Sequence, residues 1–188
     1  MLTKLVEETF DAVTAAIQGA DNVVDTLRQT VKDQVTGALG DVSDMGTAGM
    51  EAVTSVVTGA VKSVGKVGSS VADVTRNTVG AAVSAVAGMG GDVVGAISSA
   101  AQGAIGGAAE VGEDVGQTAV AAVQGAIDTA EAVGTNTTDA VRAAVMGVVQ
   151  GAGEVGGTAV QTVKDALLTA AALPRDVIES ALKGSNDK

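Results

Sequence analysis

Three successive stretches decide how this chain is read: GAIGGAAEVGEDVGQTAVAAVQ (103–124), GAIDTAEAVGTNTTDAVRAAVM (125–146) and GVVQGAGEVGGTAVQTVKDALL (147–168). Each opens on Gly-Ala-Ile or Gly-Val-Val and carries Val-Gly at its ninth and tenth places, so the repeat is 22 residues. Going backwards, the frame passes through Ala81-Ala82-Val83, Gly59-Ala60-Val61 and Gly37-Ala38-Leu39 without an insertion or deletion. Fixed-period self-similarity of this kind marks a repeat architecture.

Inside each unit lies a second period of 11. Apolar positions spaced 3, 1, 3 and 4 apart (a, d, e, h) run Gly68, Val71, Ala72, Thr75, then Val79, Ala82, Val83, Val86, then Gly90, Val93, Val94, Ile97. Eleven residues in three helical turns place this stripe on one slowly drifting face of an α-helix, which favours a right-handed supercoil. The charges test the frame independently. Lys62, Lys66, Asp73, Arg76, Asp92, Glu110, Asp114, Asp128, Asp139, Arg142 and Glu154 all fall on the opposite arc. Strands need a period of two, and the runs do not alternate that way, although the many Val residues leave a β-solenoid as a lesser alternative. The expected class is all-α: one long 11/22-residue-repeat helix in a right-handed coiled-coil bundle or filament.

A rival reading breaks the helix. Two residues after the glycine of most Val-Gly or Met-Gly pairs comes an N-capping residue: Ser70, Asp92, Asp114, Asn136 or Thr158. Ser70 with Asp73, Asp114 with Gln117, Asn136 with Asp139 and Thr158 with Gln161 resemble capping boxes. Glycine just past a helix end is a stop signal. The alternative is therefore a stack of helices of about 18 residues with glycine turns. The unslipped frame favours continuity, since loops tolerate insertions. Glycine opposes it, at about 1 kcal/mol each within a helix.

Three segments follow. Residues 1–44 carry a bulkier stripe (Leu5, Val13, Ile17, Leu27, Val31, Val35), 45–172 are the Gly/Ala/Val repeats, and 173–188 are a short helix and frayed tail set off by Pro174, the single proline.

The composition narrows function. Of 188 residues 26 are Gly, Phe10 is the only aromatic, and there is no His, Cys, Trp or Tyr. That removes the usual general base and the thiol nucleophile. Glu113 and Asp114 pair two carboxylates on the exposed arc without a pocket, so the chain is read as not an enzyme, with no cofactor, metal or small-molecule substrate. A net charge of −11 disfavours nucleic acid and anionic membranes. Residues 1–10 (MLTKLVEETF) lack the apolar core of a signal peptide, and the longest charge-free run (93–109) is rich in Gly, Ser and Ala, so a cytoplasmic location is expected.

The a/d/e/h spacing resembles that of hendecad coiled-coil proteins over nearly the whole chain, which implies a packed helical assembly. The stretch VGAAVSAVAG (79–88) is similar to the 11-residue repeats of synucleins, but the Lys-rich core of that family is missing and the polar face is acidic. The expected function is a structural protein that self-associates into a bundle or filament. An amphipathic lipid-surface or droplet coat is the alternative, and a stress or ice-related role comes after it, on Thr14, Thr36 and Thr58. Helix-packing positions are expected at Gly46, Gly68, Gly90, Gly112, Gly134 and Gly156, and at Val79, Ala101, Val123 and Val145, with the partner a second copy.

Overall fold

The computed structural model describes residues 2–18, 22–41, 46–63 and 70–186. These are helical throughout apart from short connections: α1 (Leu2–Ile17), α2 (Val23–Gly40), α3 (Thr47–Lys62), α4 (Val71–Gly88), α5 (Val93–Glu110), α6 (Val115–Val133), α7 (Thr137–Val155), α8 (Gly157–Thr169) and α9 (Arg175–Asn186). The all-α expectation holds. The single long helix does not form, and separate helices, those of the repeats 13 to 19 residues long, take its place.

Local chemistry explains the breaks that lie wholly among the described residues. Gly90, Gly112 and Gly134 have φ of 72°, 75° and 75°, the left-handed conformation that glycine adopts without a Cβ penalty. After each, a backbone N–H reaches back five residues: Gly91 to the Val86 carbonyl, Glu113 to Ala108 and Thr135 to Ala130, at 2.9–3.0 Å. These are Schellman turns, and they satisfy carbonyls left over at a helix end. The next helix then starts on a capping side chain. Ser70 Oγ accepts from Asp73 N–H, Asp92 from Gly95, Asp114 from Gly116 and Gln117, and Asn136 from Thr138 and Asp139. Thr158 is not a cap. α8 begins one residue earlier, after Gly156, whose φ of 143° separates it from α7 in a single step. Pro174 ends the α8 connection, and its carbonyl accepts from Val177 and Ile178 at the start of α9.

Every helix packs on its neighbour in sequence and on the helix two places along. The odd helices α1, α3, α5, α7 and α9 thus form one layer and the even helices α2, α4, α6 and α8 a second. One helical hairpin, two 22-residue units, is the structural repeat, as in α-solenoids.

Position in the stack accounts for the composition. An interior helix such as α5 has neighbours on both sides in its layer and the other layer beneath. Ala96, Ile97, Ala100, Ala101, Ala104, Ile105 and Ala108 are all fully buried, well beyond one stripe. Small side chains let backbones approach on several sides at once. End helices have an open side and keep a conventional amphipathic stripe: Leu27, Val31, Val35 and Leu39 in α2, Val163 and Leu167 in α8, Ile178 and Leu182 in α9. The bulkier stripe of residues 1–44 is that of helices at one end of the stack.

The turn glycines carry a first prediction. Alanine at Gly134 must hold a left-handed backbone, so Gly134→Ala is expected to lower stability by about 1 kcal/mol in denaturant unfolding. An unchanged midpoint would show that the turn adapts.

Candidate functional site

The packing seam is not where the glycine readings put it. Gly90, Gly112 and Gly134 are exposed in turns, and a Cβ on any of them, or on Gly156, would meet nothing within 4 Å. Gly46 caps the start of α3 and is exposed. Gly68 lies outside the described residues. The reason for the correction is that glycine serves two purposes, positive φ and close approach, and here these glycines serve the first. The four larger residues are in the core: Val79, Ala101, Val123 and Val145 are each fully buried.

Close approach belongs to another set, glycines at the first and fifth places of the frame from Gly59 onward. A Cβ on Gly103 of α5 would collide with the Thr54 carbonyl of α3, and one on Gly107 would lie 2.7 Å from the Thr58 carbonyl. One structural repeat on, Gly147 meets the Ser98 carbonyl and Gly151 comes within 2.7 Å of that of Gln102, seating α7 on α5 in the same way. Gly59 meets the Val6 carbonyl, seating α3 on α1, and Gly125 of α6 rests against Arg76 of α4. Thr54 Oγ1 and Thr58 Oγ1 donate to the carbonyls of Ser99 and Gly103, both at 3.1 Å, which ties α3 to α5. The Gly-x-x-x-Gly spacing at 103/107 and 147/151 was the available sequence signal.

Charged side chains brace the same seams from outside. Arg76 Nε donates to Asp128 at 2.6 Å between α4 and α6, Lys62 pairs with Glu110 at 2.6 Å between α3 and α5, and Gln102 donates to Glu154 at 2.6 Å between α5 and α7. Exposed ion pairs of this type contribute about 0–1 kcal/mol each. They set register more than strength.

Several grooves cross the surface of the described residues. One, of about 520 Å³, lies over α2, α4 and α6, where Arg28 and Lys32 face Arg76. Arg28 is committed to Asn77 at 2.7 Å and Arg76 to Asp128, so both guanidiniums act as braces. Another, of about 460 Å³, lies between α7 and α9 and is more apolar. Arg142, Met146 and Val149 form its α7 wall. Among the described residues no group of three or more Asp or Glu is placed to hold a metal ion, and no helix is long and apolar enough to cross a membrane. No protein-family model and no curated protein matches the chain.

Proposed function

We propose that this protein is a non-enzymatic structural scaffold, a stack of helical hairpins whose role is mechanical and spatial. The observation that carries the reading is the destination of the apolar stripe. Val79, Ala101, Val123 and Val145 and their neighbours are buried against other helices of the same chain. A coiled coil formed by long helices of separate chains would need that stripe on an interface between chains. A lipid coat would need it turned outward, whereas among the described residues the large apolar side chains left exposed are Met89, Val94, Val111, Met146 and Val155. The scaffold reading keeps the structural role expected from the repeat and moves the packing inside one chain.

Dilution tests it. A fold held within one chain keeps its helicity as concentration falls, whereas helices that fold only on association lose it by mass action. Far-UV circular dichroism across a dilution series is expected to be flat and the melting temperature constant. Helicity that collapses on dilution would overturn the reading in favour of an intermolecular coiled coil.

A further inference from the structure

The junction between α7 and α8 differs from the three before it. α4–α5, α5–α6 and α6–α7 are joined by three or four residues. Each of those connections is pinned twice, by a Schellman bond after Gly90, Gly112 or Gly134 and by the capping side chain of Asp92, Asp114 or Asn136. α7 and α8 are separated by Gly156 alone, and among the described residues no side chain caps α8. The φ of 143° and ψ of 168° at Gly156 lie in a region essentially closed to any residue with a Cβ. The last backbone bond of α7 runs from the Gly156 N–H to Ala152, and the first of α8 from the Val160 N–H to Gly156. A continuous helix needs only three more, from the N–H groups of Gly157, Thr158 and Ala159 to the carbonyls of Gly153, Glu154 and Val155.

The sequence across the junction suits that helix. The apolar frame runs through it at spacings of three and four, as Val148, Ala152, Gly156, Ala159, Val163 and Leu167. A Cβ on Gly153, Gly156 or Gly157 would meet nothing within 4 Å. Glu154, Val155, Gly157 and Thr158 are exposed. α8 and α9 pack on α6 and α7, burying Val163 and Leu167 of α8 and Ile178 and Leu182 of α9.

We infer that Gly156 is a hinge through which α8 and α9 exchange between two copies of this chain. Bringing Gly156 into helical conformation joins α7 and α8 into one helix, 137–169, about 50 Å long. It also carries α8 and α9 off their own body. A second copy opened in the same way offers the identical seat, so each α8–α9 pair docks on α6 and α7 of its partner. Contacts broken within a chain are remade between chains, so the balance rests on the junction and on concentration. A short hinge under strain favours such exchange. The inference goes beyond the scaffold reading and takes from it only that α8 and α9 fold back within one chain.

The chain has no cysteine, which makes disulfide mapping a direct test. A Cβ on Gly116 of α6 would lie 3.1 Å from that of Ala166 of α8, a little short of the spacing of about 3.5–4.5 Å in a disulfide. Gly116→Cys with Ala166→Cys therefore bridges α6 to α8, within one chain in the folded-back form and between chains after exchange. Gly156→Ala cannot hold the turn but suits a helix. Refolded at high concentration and then oxidised, the cysteine pair with Gly156→Ala is expected to give severalfold more covalent dimer than the pair alone. The pair with Gly134→Ala, at a junction that also has the Asn136 cap, is expected to match the pair alone. Dimer no more abundant with Gly156→Ala than with Gly134→Ala overturns the inference. Should Gly156→Ala lose helicity, the pair in the parent chain decides. Warmed at high concentration to the foot of its melting transition and cooled before oxidation, it is expected to yield severalfold more covalent dimer than the same pair with Ser-Gly-Ser inserted after Gly156, which relaxes the fold-back. Equal yields overturn the inference. Both forms are helical, so none of these results touches the dilution test of the scaffold.

Discussion

Replacing Gly103 by alanine is expected to destabilise the protein by about 1–3 kcal/mol, the range for overpacking a close contact. Helix propensity alone says the reverse, since alanine is better than glycine by about 1 kcal/mol inside a helix. The tertiary contact decides the sign. The added Cβ would collide with the Thr54 backbone, which is held by its own helix and cannot yield as a side chain can. Gly37, in α2, supplies the control. It is exposed and its Cβ would meet nothing, so Gly37→Ala is expected to stabilise by up to about 1 kcal/mol. In a chain of this length 1 kcal/mol moves the melting temperature by about 2–4 °C, so opposite shifts at the two sites are measurable by calorimetry. Shifts of the same sign would mean that α5 does not sit on α3 as described. Gly103→Leu should be worse than Gly103→Ala. Gly112→Leu, in an exposed turn, should cost only the strain of a left-handed backbone and leave helix packing intact.

The second large effect is a gain. Thr78 of α4 is fully buried, and its Oγ1 has no hydrogen-bond partner among the described residues. A buried hydroxyl left unpaired costs about 1–3 kcal/mol. Valine has the same shape with a methyl in place of the hydroxyl, and its β-branching is already accommodated at this site. Thr78→Val is therefore expected to raise stability by about 1–3 kcal/mol, read from the shift of the denaturant midpoint at constant slope. Thr75, one turn earlier and equally unpaired, should behave alike. The two gains need not add, because the side chains share a helix and close neighbours couple. A loss of stability in Thr78→Val would show that the hydroxyl is satisfied, by water or by a shifted neighbour.

The outer face of α1 is polar and that of α2, with Asp25, Arg28, Gln29, Lys32 and Asp33, is more so. Polar outer faces on terminal repeats keep such arrays from sticking without selectivity.

The sequence by itself pointed to a helical chain, because an 11-residue apolar period with an opposite charged arc fits a helix and lacks the period of two that a strand needs. It also picked out the residues of the central stripe, Val79, Ala101, Val123 and Val145, and four of the helix starts. Ser70, Asp92, Asp114 and Asn136 cap through side chains that act within three residues, so their role is local. Whether the chain continued through each Val-Gly or folded back was decided only by tertiary structure. Locally, a Schellman turn with a cap and an uninterrupted helix differ by little, since each satisfies its backbone polar groups. The balance tips when folding back lets interior helices bury faces that one straight helix would leave in water. For the same reason the two kinds of glycine could not be told apart in the sequence. Gly112 and Gly103 stand in equally regular series, and a residue without a side chain carries no mark of whether it serves a turn or a contact. Only the Thr54 carbonyl, brought against Gly103 by the folding of α5 onto α3, makes the distinction.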